Sequence, residues 1–121
     1  MYQTKKLVTT RALLLLILGG PCALPAVASD GATLKLGQEV SFDSAKGNCL
    51  ACHMIPGGES PGNIGPPLIA MKARFPERAV LRAQIWDATV RNPDSIMLPF
   101  GKHGVLSNDE LDAVVDFLYT L

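Results

Sequence analysis

The 121-residue chain has little of what would build a zinc site, a β-sheet, a membrane span or a hydrolytic centre. It carries only three cysteines, Cys22, Cys49 and Cys52, and two histidines, His53 and His103. A structural zinc ion takes four ligands, and no second cysteine pair exists to complete a set around Cys49 and Cys52. Strand-like runs of alternating apolar and polar residues are nearly absent, so helices are expected to dominate. Neither internal repeats nor low-complexity segments occur beyond the N-terminal stretch. No apolar run reaches the about 18 residues that a membrane-spanning helix needs. Nor does any nucleophile sit with a fitting base, so no catalytic residue is expected in this chain.

The N-terminus reads as an export signal. Lys5, Lys6 and Arg11 precede an unbroken apolar run over residues 12–18, which Gly19, Gly20 and Pro21 then interrupt. Ala26-Val27-Ala28 supplies a small-x-small cleavage site before Ser29. The expectation is a cleaved signal peptide over residues 1–28, a mature domain over residues 29–121, and delivery to the periplasm without a membrane anchor. Gly20-Pro21 makes a poor lipid-attachment context for Cys22, which is expected to leave with the signal. The remaining 93 residues would hold eight basic against eleven acidic side chains, a net charge near −3. That balance gives no support for nucleic-acid binding. A chain this short buries only about 60–65% of its unfolded surface and is marginal without help.

Cys49-Leu50-Ala51-Cys52-His53 is the most informative stretch, because Cys-x-x-Cys-His is the attachment signature of c-type haem. The thiols of Cys49 and Cys52 can each form a thioether to a porphyrin vinyl group, and His53 follows in place to bind the iron. A thioredoxin-like pair should sit between a strand and a helix, and no strand-rich run surrounds this one. A plain disulfide is the remaining alternative, and thioether formation would consume both sulfurs. One covalently bound haem c is therefore the expected cofactor, and its apolar macrocycle would be the largest component of the core.

Residues 34–45 read as a helix with Leu36, Val40 and Phe42 inward, ended by Gly47. Residues 56–63, rich in proline and glycine, form a loop that is either a surface connection or a wrap around one haem edge. In Gly65-Pro66-Pro67-Leu68 the prolines fix the backbone and leave carbonyls to accept. The Pro66 carbonyl is a candidate acceptor for the second ring N–H of His53, the support a metal-bound histidine normally has. The plainer reading is a rigid turn. Pro76 opens a helix expected to reach Arg91, with Val80, Leu81, Ile85 and Trp86 as its apolar stripe. Trp86 is expected in the core, the sharper alternative being a place beside the haem with its indole N–H on a propionate. Lys72, Arg74, Arg78 and Arg82 form either a solvated face or a docking patch. Ser107-x-x-Glu110 is a capping box, Leu106 can staple onto Leu111, and Leu111, Val114, Val115 and Leu118 follow at helical spacing. Asp109, Asp112 and Asp116 fall on the opposite, wet side.

A second iron ligand would make the site an electron-transfer centre. Met54 is adjacent to His53 and cannot reach the opposite face, while Met71 follows the loop closely and suits the core. His103 is the competitor for that position, although it reads more readily as a surface histidine. Met97 lies in an irregular segment, Asn92-Pro93-Asp94-Ser95-Ile96-Met97-Leu98-Pro99-Phe100-Gly101, able to drape over the distal face. It is the preferred second ligand, although a buried methionine is ordinarily core filler.

The order of helix, Cys-x-x-Cys-His, Gly-Pro loop, methionine loop and C-terminal helix resembles class I cytochromes c over nearly all of the mature length. The resemblance implies an all-α fold in which the first and last helices cross, pairing Gly37 and the residues around Phe42 with Val114 and Phe117. A narrower resemblance is to the SoxX family, the monohaem subunits of SoxAX sulfur-oxidation complexes. It is carried by Lys46-Gly47-Asn48-Cys49-Leu50-Ala51-Cys52-His53, Ile55-Pro56-Gly57-Gly58 and Pro61-Gly62-Asn63-Ile64-Gly65-Pro66-Pro67-Leu68. Ala83-Gln84-Ile85-Trp86-Asp87 and Pro99-Phe100-Gly101-Lys102-His103 extend it. The family implies a periplasmic heterodimer with SoxA that oxidatively joins thiosulfate to a cysteine of the carrier SoxYZ, as an L-cysteine S-thiosulfotransferase. The reacting site would lie on SoxA, and this chain would receive electrons through a haem ligated by His53 and Met97, then pass them to a downstream cytochrome. Leu98 stands where the family usually has proline. The competing expectations are a free-standing periplasmic electron shuttle and, more weakly, a haem-based ligand sensor.

Overall fold

A computed structural model describes residues 30–121, and among these the regular structure is entirely helical. The first helix, α1, spans Gly31–Phe42, and a short α2 covers Met71–Arg74. Helices α3 and α4 span Arg78–Trp86 and Asn108–Leu118, and 3-10 turns occupy Cys49–Ala51 and Ala88–Val90. The expected signal peptide, its cleavage site and Cys22 lie outside the described residues.

Helix α1 begins earlier than periodicity alone indicates, because the Asp30 carboxylate caps it by accepting from the Thr33 amide at 2.7 Å. The same bond holds the Asp30 carboxyl below its ordinary pKa. The helix also ends earlier, at Phe42, where Asp43 turns extended. Its buried face is Gly37, Val40 and Ser41, so Leu36, expected inward, is instead 39% exposed. The reason is the partner. A Cβ on Gly37 would lie 2.0 Å from the Ala113 carbonyl oxygen and 2.8 Å from Phe117 Cβ. The two helices thus meet at backbone distance, and the α1–α4 interface is the most extensive in the fold. Phe42 sets its ring edge-on to Phe117, 6.0 Å between centroids. Val114 is buried as expected, but Ala113 is the residue that faces Gly37.

The capping box opens α4: Ser107 Oγ accepts from the Glu110 amide, and Glu110 Oε2 accepts from the Ser107 amide. Leu111, Val114, Val115 and Leu118 are buried, with Leu106 in the same core. Helix α3 is shorter than expected. Pro76 stands outside it, and Asp87 takes an extended conformation and caps the following 3-10 turn through the Thr89 amide. Leu81 and Ile85 are buried, whereas Val80 and Trp86 are each 36% exposed, which moves Trp86 out of the core proper. Helix α2 has only four residues, too few to show a period in sequence.

Arg78 and Arg82 are not a free basic face. Arg78 donates to Asp116 at 2.8 Å and to Asp112 at 2.9 Å, and Arg82 donates to Asp112 at 2.9 Å and Asn108 at 2.8 Å. The wet side of α4 is therefore the seat of α3. Burial alone would push Asp112 up, but the hydrogen bonds and charges of Arg82 and Arg78 outweigh it, and its carboxyl ends below the ordinary value. Glu110 is likewise lowered, first by the Lys46 ammonium 2.8 Å away and then by the Ser107 amide.

These depressed carboxylates stabilise the fold at pH values above the ordinary carboxylate range, and that contribution is lost as pH falls through their lowered values. Asp112→Asn should thus flatten the acid limb of a pH series of urea-unfolding midpoints. Gly37→Ala should destabilise by about 1–3 kcal/mol, since the new methyl meets backbone that cannot yield without separating the helices. Ser107→Ala should lose about 1 kcal/mol. Both are read from the same unfolding curves.

Candidate haem site

The motif residues curl into a tight turn immediately after α1. Asn48 takes a left-handed conformation, and the Cys49 carbonyl accepts from both the Cys52 amide at 3.2 Å and the His53 amide at 2.9 Å. Gly47 lets this turn close on α1. Its amide donates to the Val40 carbonyl, and a Cβ there would lie 2.7 Å from that oxygen and 3.3 Å from Cys49 Sγ. Both motif thiols are unpaired. Burial pushes the Cys49 thiol up to about 11, so it stays protonated at neutral pH. A neutral, half-buried sulfur suits a thioether, which carries no charge, better than a metal thiolate. Among the described residues, no three His, Cys, Asp or Glu side chains converge as a zinc set would.

His53 Nδ1 lies 2.7 Å from the Pro66 carbonyl oxygen. A carbonyl only accepts, so Nδ1 carries the proton and Nε2 keeps the lone pair that a metal would take. The imidazole rests directly on Gly65, where a Cβ would lie 2.3 Å from Cε1 and 2.5 Å from Nδ1. The loop behind it is laced to the motif by backbone bonds. The Gly62, Gly65 and Leu68 amides donate to the Leu50, Cys52 and Met54 carbonyls at 2.7, 2.8 and 2.8 Å. Gly62 comes so close to Ala51 that a Cβ would lie 2.0 Å from its carbonyl oxygen. The proline- and glycine-rich loop is therefore a wall fitted to the motif rather than a plain connection. The close-approach roles of Gly62 and Gly65 lie outside the sequence-based expectations. Their signal was present, since only a missing side chain lets two backbones approach this closely.

Met97 is half-buried against the core, and its amide donates to Ser95 Oγ at 3.3 Å. Met71 is fully inside the core, and Met54 and His103 are exposed. The flanking Ile96 and Leu98, and Ile64 beside Gly65, remain exposed. Uncovered apolar side chains on both loops fit an apolar macrocycle, as do two unpaired cysteines and an imidazole with its tautomer set. A separate cavity of about 660 Å³ is lined by Arg74, Phe75, Val80, Gln84 and Arg91 among others, and neither the motif residues nor Met97 line it. The donors, not that cavity, define the site.

Residues 38–118 match the family model described as cytochrome c oxidase, cbb3-type, subunit III. The chain belongs to this cytochrome c family. As a c-type cytochrome it carries covalently bound haem c, and its structure, helical and strand-free among the described residues, is the all-α class I cytochrome c fold. A relative in Aquifex aeolicus (strain VF5), named as an uncharacterized lipoprotein, is 35% identical over 77 residues, covering 63% of this cytochrome and 37% of the relative. The cytochrome thus spans little more than a third of that relative's length.

Gly65→Ala should drive a methyl into the imidazole and break the Pro66 bond. A less basic histidine holds oxidised iron less well, so the holoprotein that still forms should show a raised reduction potential, alongside a lower haem-to-protein ratio. Redox titration and a pyridine haemochrome assay read the two effects.

Proposed function

We propose that this cytochrome is the electron-accepting monohaem subunit of a SoxAX complex, which oxidatively couples thiosulfate to a cysteine of the carrier SoxYZ. The observation that supports this reading is a meeting of distant segments. The two stretches that resemble SoxX outside the haem motif and its loop, residues 83–87 and 99–103, pack on each other: the Trp86 carbonyl accepts from the Gly101 and Lys102 amides, and Asp87 pairs with Lys102. The resemblance thus follows a three-dimensional contact as well as a string of letters.

Haem supplies one-electron chemistry, and the chain's residues bind, orient and tune it. Cys49 and Cys52 provide the thioethers. His53 presents Nε2 to the iron, with Nδ1–H held by Pro66. Met97 is the second ligand, and a thioether there favours reduced iron over the bis-histidine alternative, giving a relatively high potential suited to accepting electrons. The same reading gives S–S bond formation to the SoxA partner, as the family resemblance implies, and electrons leave to a downstream cytochrome. Export to the periplasm with cleavage after Ala28 completes the reading, and the lipoprotein name of the Aquifex relative supports export.

Purification from the native periplasm should recover SoxA with this chain, and thiosulfate should reduce its haem only when SoxA and SoxYZ are both present. A monomer that stays oxidised in that mixture would be a free-standing shuttle instead. The mass of the mature chain should match a start at Ser29, whereas a lipidated Cys22 would shift it upward by the mass of the acyl groups and the retained residues. Met97→Ala should lower the potential by on the order of 100 mV and open the iron to external ligands, measured by redox titration and absorption spectra.

A further inference from the structure

Asp87 is the only buried charged residue among those described, and it lies well away in sequence from the haem motif. Its Oδ2 accepts from Lys102 Nζ at 2.7 Å, and its Oδ1 accepts from the Thr89 amide and hydroxyl. The Asp87 side chain is 6% exposed, so the ion pair is shielded from solvent on the carboxylate side. One residue earlier, the Trp86 carbonyl accepts from both the Gly101 and Lys102 amides at 3.2 Å. The Trp86 indole lies flush against Gly101, where a Cβ would come 2.0 Å from Cε3. Two consecutive residues at the end of α3 therefore grip two consecutive residues just beyond Met97, through backbone, ring and charge at once.

The grip is anchored at its rear. The Arg82 guanidinium lies 5.6 Å from the Trp86 ring centroid, and Arg82 is itself tied to Asp112 and Asn108 of α4. On the loop side, the segment after Met97 is stiff. Phe100 is buried, its carbonyl accepts from the Val105 and Leu106 amides, and the His103 amide donates to Pro99. Before Met97, the Asn92 amide returns to the Ala88 carbonyl and Ser95 to Asn92. Both ends of the methionine loop are thus fastened to the corner formed by residues 86–90. A buried carboxylate must be fully partnered to be tolerated, and a hydrophobic replacement would often serve stability as well. Its presence here selects one placement of the loop, because only one register brings Lys102 to Asp87 and Gly101 to the indole.

We propose that Trp86 and Asp87, gripping Gly101 and Lys102, form a latch that sets the position of the methionine loop and resists withdrawal of the Met97 thioether from the haem. All four are positioning residues, and the inference rests on the reading of Met97 as the second ligand. The latch explains why the loop can carry Leu98 in place of a second stiffening proline: the restraint comes from the α3 corner as well as from Pro99.

The test compares full-length holoprotein carrying Asp87→Asn, Lys102→Met, Lys102→Arg, Gly101→Ala or Met97→Ala. Three signals are followed: the weak far-red absorption of methionine-ligated oxidised haem, competition by added imidazole, and helical circular dichroism on heating. Lys102→Met and Gly101→Ala should let imidazole displace the methionine at roughly tenfold lower concentration, the scale of losing a charge-assisted hydrogen bond. Their far-red band should vanish at a lower temperature than their helical signal, and Lys102→Arg should restore much of the resistance. Asp87→Asn, nearly isosteric, keeps the test valid if Gly101→Ala fails to fold, and should weaken the loop in the same direction. Equal downward shifts of band and helix, with imidazole competition unchanged, would reduce the contact to ordinary packing and overturn the latch. Met97→Ala should lack the band from the start. If it keeps the band, the ligand reading falls and the latch with it, whereas loss of the band with unaffected latch variants removes the latch alone.

Discussion

The bond between His53 Nδ1 and the Pro66 carbonyl is the constraint on which the site depends. It decides which ring nitrogen is protonated, and hence that Nε2 is free to bind a metal. It also makes the loop after the motif part of the motif. An imidazole held only by its Cα could rotate about two bonds, but one resting on Gly65 and tied to Pro66 cannot turn without breaking contact. The backbone ties from Gly62, Gly65 and Leu68 to Leu50, Cys52 and Met54 carry that restraint across the full length of the wall.

This wall needs a rigid base, and the α1–α4 crossing provides it. Gly37 allows the helices to meet at backbone distance, Val40 at the end of α1 accepts from Gly47, and Gly47 abuts Cys49. Lys46 and Glu110 join the start of the motif segment to the capping box of α4. On the other side, the Arg78 and Arg82 bonds to α4 hold α3, and the corner after α3 holds the methionine loop. The C-terminal helix is thus the common support for the segments before both loops. A covalently bound haem in a chain this small then completes a core that the protein's own side chains leave open on both loops.

Much of this was legible in the residues. The haem motif, the capping box and the apolar stripe of α4 are local patterns in which neighbours in sequence do the work. Candidate acceptor Pro66 could be named because proline limits what a backbone can do. Other features differ from their sequence pattern for equally physical reasons. Apolar periodicity does not show that Asp30 caps α1, so it places the helix about one turn late and turns Leu36 inward. The apolar character of Trp86 points to the core, although its ring covers Gly101 at the edge. Arg78 and Arg82 read as a solvated face or a docking patch because their acidic partners lie more than two dozen positions away.

The identity of the cofactor and the all-helical class were decided by sequence, since covalent attachment chemistry and helical periodicity are short-range properties of the chain. The tertiary structure decided which glycine faces which backbone, that Pro66 reaches His53, and that Trp86 and Asp87 hold Gly101 and Lys102. Those pairings join residues separated by a loop or more, and their partners become definite only when the helices cross and bring the segments to bonding distance.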